Sequence, residues 1–282
     1  MLTLVTGIEG FTGYFVKAEL EANGHTAVGL RSDLTDLDAV INEVSEIQPE
    51  AVIHLAGLAF VGDENANAFY GVNLVGTRNL LQALARHAPK LKSVLITSSA
   101  NVYGNSTGGV IDESVTPNPL NDYAVSKLAM EYMTRLWSNK LPLCIVRPFN
   151  YTGVGQNEKF LIPKIVKHFK DKDSVIELGN LDVWREFGDV RTVATIYRML
   201  IENCPVGEIL NVCTGQTYSL KEVITICEKL TGHKIEIKVN PEFVRENEVR
   251  ELKGDNTRLS KWAGNITSYT FDETLSWMLN SN

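Results

Sequence analysis

The chain lacks an apolar run long enough to cross a bilayer. Its first residues, Met1-Leu-Thr-Leu-Val5, are apolar but meet Gly7 almost at once, too short for a leader peptide or a span of about 20 residues. Basic residues are in deficit, 27 against 34 acidic, for a net charge of −7. That balance argues against nucleic acid or a membrane surface as partner, while leaving room for a local basic pocket. Cysteine is scarce: Cys144, Cys204, Cys213 and Cys227 show no paired spacing, the usage of a reduced compartment, so a cytoplasmic location is expected. The five histidines stand in no HExxH or CxxC context, so no metal site is expected. Repeats and low-complexity linkers are missing as well. What remains is 282 residues of ordinary composition, 44% hydrophobic and 22% charged, enough for one large α/β domain or a domain with a smaller lobe.

What is there is an alternation. Residues 2–6 form an apolar, β-rich strand running into Thr6-Gly-Ile-Glu-Gly-Phe-Thr-Gly13. Gly7, Gly10 and Gly13 allow a tight turn, close approach of backbone to a phosphate, and close helix–strand packing. The helix expected over 11–23 would aim its first amides at a pyrophosphate, so a dinucleotide site is expected, a simple strand-to-helix turn being the alternative. A second strand, 25–30, ends in Arg31-Ser32-Asp33-Leu34. An acid there bonds a ribose 2′-hydroxyl and an arginine accommodates a 2′-phosphate, so Arg31 favours the phosphorylated cofactor, a solvated loop arginine being the alternative. A helix over 36–47, a strand over 51–57, a loop over 57–65 and a long helix carrying Asn73 through to His87 follow. Residues 93–96 are the next strand. It opens on a polar run holding Ser99 and then a Gly/Ser/Pro-rich excursion, 104–121, long enough to be functional. A helix from Tyr123 to about 139 and a strand over 141–147 complete a parallel sheet with helices on both faces. Beyond 156 the pattern loosens, with helices over 160–169, up to 203, over 219–230 and near 271–278, and strands over 209–212 and 234–239. The expected architecture is a Rossmann-type doubly wound sheet, residues 1–156 with segments near 186–215 returning to it, and a smaller, partly discontinuous lobe, 157–282.

Tyr123-Ala-Val-Ser-Lys127 is the chemical centre of this pattern. Residues four apart share a helix face one turn apart. A phenol of pKa ~10 is a poor base until a fixed cation stabilises its phenolate, and Lys127 is placed to be that cation. Ser99 sits where open α/β sheets put their ligands, at a strand's carboxyl end.

Thr6-Gly-x-x-Gly-Phe-x-Gly13, His54-Leu-Ala-Gly57, Asn73-x-x-Gly-Thr77, Ser98-Ser-x-x-x-Tyr-Gly104, Tyr123-x-x-x-Lys127 and Arg147-Pro-Phe-Asn150 stand in this order over nearly the whole chain. In that order they resemble the extended short-chain dehydrogenase/reductase family, the epimerase/dehydratase group acting on nucleotide sugars. The resemblance implies Tyr123 as acid/base, Lys127 as the cation that lowers its pKa and holds the nicotinamide ribose, and Ser99 as the hydroxyl that polarises the substrate oxygen. It implies a cofactor cleft of Gly7, Gly10, Phe11, Gly13, Arg31, Asp33, Leu34, Leu55, Ala56, Gly57, Asn73, Pro148 and Phe149. NADPH is favoured, with NADH the alternative.

The later segments look most like the branch handling GDP-6-deoxy-4-keto sugars, GDP-4-keto-6-deoxymannose reductases in particular, with dTDP and CDP sugars as alternatives. That likeness implies a nucleotide-diphosphate-sugar site of Asn101, Asn150, Phe160, Leu161, Lys164, Asn180, Arg185, Arg245 and Glu248, arginine suiting diphosphate by its planar fork. It further implies a 4-ketoreductase of deoxysugar synthesis for surface polysaccharide, working as a homodimer. Two other readings compete: a 4-epimerase recycling its own NAD, and a non-catalytic dinucleotide-binding regulator, which would have no need of Ser99, Tyr123 and Lys127 together. The family's 4,6-dehydratases carry a carboxylate two residues before the Tyr-Gly pair. This chain has Ala100 and Asn101 there, neither able to serve elimination as acid or base.

Overall fold

A computed structural model of the chain describes residues 1–58, 65–104, 109–243, 251–264, 266 and 268–281. Strand β1 (Leu2–Thr6) leads to α1 (Phe11–Ala22), then β2 (Thr26–Leu30), α2 (Leu37–Ile47) and β3 (Ala51–His54). The expected strand over 51–57 stops at His54, because Leu55 and Ala56 turn away to bond Thr6. A short α3 (Ala66–Phe69) runs through a π-helical turn, Tyr70–Gly76, into α4 (Thr77–His87). The expected single long helix is therefore interrupted at Asn73. Strand β4 (Ser93–Thr97) precedes a 3₁₀ turn, Ala100–Tyr103. The excursion after Gly104, expected to be loop throughout, contains a strand, β5 (Gly109–Ile111), before α5 (Asp122–Arg135) and β6 (Leu143–Pro148).

The remainder is finer-grained than the sequence pattern. It comprises β7 (Tyr151–Thr152), α6 (Leu161–Lys170), β8 (Val175–Leu178), β9 (Trp184–Arg185), β10 (Gly188–Asp189), α7 (Val190–Asn203) and β11 (Ile209–Val212). After these come β12 (Tyr218–Ser219), α8 (Leu220–Thr231), β13 (Glu236–Val239), β14 (Glu251–Gly254), α9 (Thr257–Ala263) and α10 (Phe271–Asn280).

Six parallel strands in the order β11-β6-β4-β3-β1-β2 make the central sheet. Parallel sheets are covered on both faces, and this one has an apolar layer on each. One packs the sheet against α1, α7 and α9 through Val16, Leu20, Val193, Tyr197, Leu200 and Leu259. The other packs it against α2, α4 and α5 through Val40, Val44, Leu80, Leu84 and Met130. The chain passes from β2 on one side of β1 to β3 on the other, so the switch point where such folds open a crevice lies between β1 and β3. A third cluster joins α6, α8 and α10 to β8. Four short strands, β12-β9-β14-β5, bring segments from both halves of the chain side by side.

His54 holds the crevice floor. It is buried, its Nδ1 2.7 Å from Thr6 Oγ1 and its Nε2 2.8 Å from Thr77 Oγ1. The Thr77 hydroxyl donates to Asn73 O at 2.6 Å, so it must accept from Nε2–H, leaving Nδ1 to accept from the Thr6 hydroxyl. Thr6 Oγ1 in turn accepts the Ala56 amide at 3.0 Å. Every polar atom in the chain of contacts is satisfied with the imidazole neutral. Burial first, then the nearby Lys127 charge, pulls its pKa down to about 3. The unfolded chain takes a proton here below about 6.5 and the folded one does not. Stability is therefore whole above that value and drains as pH falls toward 3. Between pH 6.5 and 5 the loss is about 2 kcal/mol. Melting temperature should drop by several degrees over that interval, and His54→Gln should flatten the dependence while lowering the baseline. A variant as steep as the wild type would remove His54 as the cause.

Candidate active site

The glycine turn is built for close approach. Gly7 adopts φ +70°, and a Cβ there would sit 3.0 Å from Ala56 N. A Cβ on Gly13 would lie 2.2 Å from Gly7 O and 2.5 Å from Ile8 O, backbone that cannot step aside. Helix α1 opens at Gly10 with no side-chain cap and no acid in its first turn, which leaves its first amides and its dipole to an anion. Phe11 stacks on Tyr151, ring centroids 6.2 Å apart, and Thr12 Oγ1 lies 2.8 Å from the Tyr151 hydroxyl. A cradle of this shape fits a dinucleotide pyrophosphate, with Leu55, Ala56 and Gly57 as the facing wall.

At the end of β2 stand Arg31, Asp33 and Leu34, which the family likeness assigns to the cofactor, Asp33 and Leu34 beside its adenine. Asp33 is exposed and spends its carboxylate on the Thr35 amide and hydroxyl, both at 2.8 Å. Leu34 is buried against Gly76. Glu43, reaching up from α2, takes the amides of Arg31 and Ser32 at 2.9 and 2.8 Å and the Ser32 hydroxyl. Arg31 itself is exposed.

Ser99, Tyr123 and Lys127 meet at the carboxyl ends of β4 and β6, all buried. Helix α5 starts where it does because Asn121 caps it, accepting the Ala124 amide at 2.9 Å. That fixes Tyr123 in the first turn and Lys127 in the second. Burial pushes the Tyr123 phenol up to about 12, against the pull of its hydrogen bond with Ser99. The lowering expected from Lys127 is not found: burial and the Tyr151 phenol raise the value, and the Ser99 bond lowers it. Burial likewise draws Lys127 down to about 8, opposed by the charge of Glu131. Lys127 Nζ donates to Thr97 O at 2.9 Å, and a Cβ on Gly57 would come within 3.1 Å of it. Asn73 is fully buried, and its amide is committed to the Leu58 backbone at 3.0 and 3.2 Å and to Ser126 Oγ at 3.0 Å. The π-helical turn thus serves to drive Asn73 inward, a use typical of such turns at functional sites.

The other predicted positions lie on the rim or behind it. Asn101 and Asn150 are exposed at the strand ends, while Phe149 is core, its ring against Tyr103, and Pro148 is half-buried at the end of β6. Phe160 precedes α6, which has no side-chain cap and no first-turn acid, with Leu161 exposed. Lys164 donates to Glu177 O at 3.1 Å and lies over the Phe243 ring, and the Asn180 side chain closes its own turn onto Asp182 N. Arg185 is on β9, bonded to Trp184 O at 2.8 Å. Arg245 and Glu248 lie outside the described residues.

Two residues had escaped the sequence reading. Tyr151 stands beside the glycine turn and within electrostatic range of Tyr123. Its only signal was its place after Asn150. Glu131 is fully buried and bonded to Ser98 and Arg147; its signal was spacing, since 123, 127 and 131 share one helix face.

Residues 3–213 match the NAD dependent epimerase/dehydratase family. The chain is 38% identical to the GDP-6-deoxy-D-talose 4-dehydrogenase of Aggregatibacter actinomycetemcomitans over 276 residues, covering 96% of this chain and 94% of that one. It is 34% identical to the GDP-6-deoxy-D-mannose reductase of Pseudomonas aeruginosa, covering 98% and 95%. The structure of RMD from Pseudomonas aeruginosa complexed with NADPH superposes with a TM-score of 0.89 at 31% identity, covering 99% of this chain and 98% of that one.

Gly13→Ala tests the cradle. Forcing a methyl into that backbone contact costs roughly 1–3 kcal/mol and moves the amides that face the pyrophosphate. The expected outcome is a folded protein with a lower melting temperature and at least about tenfold weaker NADPH binding by nucleotide fluorescence. Unchanged affinity would mean that the turn is only a connection.

Proposed function

The chain belongs to the NAD dependent epimerase/dehydratase family, enzymes acting on nucleotide sugars, and from that premise we propose that it is a 4-ketoreductase. Its substrate is a nucleotide-linked 6-deoxy-4-keto-hexose, GDP-4-keto-6-deoxymannose first among them, and its cofactor NADPH. The observation that carries this reading is the meeting of three buried groups, Ser99, Tyr123 and Lys127, at the carboxyl end of β4: a hydroxyl to polarise a carbonyl, a phenol to give its proton to an alkoxide forming at C4, and a cation to take up the charge left behind.

The bound cofactor supplies the hydride. Ser99 donates to the sugar's carbonyl oxygen and so polarises it, and Tyr123 passes its proton to that oxygen as charge develops. The phenolate left behind is stabilised by Lys127, which at about 8 is still mostly an ammonium at pH 7. Water re-protonates Tyr123 once product leaves. Elimination is a different task. It would need a carboxylate beside Ser99, and Ala100 and Asn101 occupy the 3₁₀ turn there.

The deciding experiment incubates the protein with GDP-, dTDP- and CDP-linked 4-keto-6-deoxy sugars and NADPH or NADH, following loss of reduced-cofactor absorbance and the product's C4 configuration by NMR. Stoichiometric cofactor consumption with the GDP sugar is expected, and GDP-mannose and dTDP-glucose should be left untouched. Interconversion of 4-hydroxy sugars without net cofactor use would instead identify a 4-epimerase.

Tyr123→Phe should lower kcat by ~10²–10⁴-fold with NADPH affinity nearly intact, since it deletes one hydroxyl and no phosphate contact. Retention of more than about a tenth of wild-type kcat would remove Tyr123 as the donor. Arg31 should confer a preference for NADPH of about ten- to a hundred-fold in kcat/KM. Its guanidinium carries that alone, because Glu43 already holds the neighbouring amides and the Ser32 hydroxyl. Arg31→Ala should erase the preference, and equal kcat/KM for both cofactors in the wild type would leave Arg31 a solvated side chain.

A further inference from the structure

Glu131 lies one turn beyond Lys127 on α5 and is fully buried. Its carboxylate accepts from Ser98 Oγ at 2.6 Å, from Arg147 Nε at 2.9 Å and from Arg147 Nη2 at 2.6 Å. Ser98 immediately precedes Ser99, and its amide is held by Val146 O at 2.8 Å. The end of β4 is thus pinned from the sheet on one side and from α5 on the other. Arg147 Nη1 continues to the Tyr103 hydroxyl at 2.9 Å, which donates to Asn211 Oδ1 at 2.7 Å. A buried Arg–Glu pair does little for stability that apolar side chains of equal volume would not do, so packing alone does not account for ionic groups at this point.

We propose that Glu131 is a positioning residue for the reaction: through Ser98 it fixes the backbone that carries Ser99, and as a buried anion it keeps Lys127 charged. The inference rests on the catalytic reading above. Around Lys127 stand Tyr123 and Glu131 on its own helix and His54 on β3, with Arg147 bonded to Glu131 and Tyr103 bonded in turn to Arg147. His54 and the two phenols are neutral at physiological pH, and Arg147 is bound to Glu131. Glu131 is the group whose charge opposes the burial that draws Lys127 down to about 8. Without it the ammonium is lost at lower pH, and with it the cation that stabilises the Tyr123 phenolate.

The test is Glu131→Gln, which keeps the side-chain volume and an acceptor for Ser98 but removes the charge. NADPH affinity is measured by fluorescence from acid to alkaline pH, alongside kcat in the reductase assay. Wild-type affinity should fall as Lys127 deprotonates near 8. In Glu131→Gln the midpoint should move down by about one pH unit or more, with kcat reduced at least about tenfold and the alkaline limb of its profile moved alike. The single variant leaves Arg147 uncompensated, so Glu131→Gln/Arg147→Met is made beside it to give a fold without a lone buried charge; its midpoint should still lie below the wild type's, displaced less than in the single variant because a neighbouring cation is gone as well. A wild-type midpoint in either folded variant, or a wild-type affinity independent of pH, overturns the proposal. Should no keto sugar be reduced by the wild type while the binding midpoint still moves, the reaction assignment falls and the role of Glu131 toward Lys127 stands.

Discussion

A lysine ammonium buried at the carboxyl edge of the sheet is the constraint that its surroundings answer to. Removing a charge from water is costly unless it is paired and hydrogen-bonded, and Lys127 is given the Thr97 carbonyl at 2.9 Å and the field of Glu131. The same requirement reaches further. Position 57 favours glycine, since a Cβ would lie 2.8 Å from Asn73 Oδ1 and 3.1 Å from Nζ. His54, within the lysine's field, has to remain neutral, and the hydroxyls of Thr6 and Thr77 let it do so without an unsatisfied nitrogen. Asn73 is then held by the same line of bonds, and it in turn fixes the backbone at Leu58. One buried cation thus organises a floor that runs from β1 to α4.

The layer around the first helix is apolar where this one is ionic. Phe11 stacks on Tyr151 and meets Phe15 edge-on, and Phe15 meets Trp277 of α10 at 5.7 Å. Trp277 and Tyr269 also sandwich the Arg191 guanidinium at 3.9 and 3.6 Å, while Asp189 takes that guanidinium through both oxygens. Thr274 closes the set by donating to Asp189. The end of the chain is therefore fastened to the first helix, and the mobility of the glycine turn is limited from a distance of more than two hundred and fifty residues in sequence. Cation–π contacts gain strength where they are partly desolvated, and these are.

Much of this was legible. The strand–glycine–helix entry, the alternation that follows and the Tyr123–Lys127 face carried the sheet and the meeting of Ser99, Tyr123 and Lys127, because each depends on local spacing. Long-range pairing was not legible. Strand β14 lies between β9 and β5, and β5 has only three residues in a stretch rich in glycine and serine, with no periodicity to betray a strand. The π-helical turn was equally hidden: the family likeness put Asn73 in the cofactor cleft, and its bonds to Leu58 and Ser126 depend on residues distant in sequence. Glu131 shows the converse. Its spacing was visible, but an acid on a helix is usually a surface residue, and only the positions of Ser98 and Arg147 make it a buried one.

The division of labour in the fold has a stereochemical consequence under the proposed reaction. Ser99, Tyr123 and the cofactor cradle are all attached to the central sheet, a rigid frame that sets the direction from which hydride and proton arrive. A ketone has two faces, and with that direction fixed, the configuration produced at C4 depends on which face the sugar turns toward the sheet. The positions that the family likeness assigns to the sugar nucleotide include several that the sheet does not hold: Lys164 on α6, the turn at Asn180, and Arg185 on β9. These rest on the cluster of α6, α8 and α10 and on short two- and four-stranded pairings, structures that accept changes of length and side chain more readily than a six-stranded core. Under the proposed reaction, chemistry and stereochemistry would then be carried by separate parts of one chain, and a change confined to α6 or β9 would alter the configuration at C4 while Tyr123 delivers the same proton.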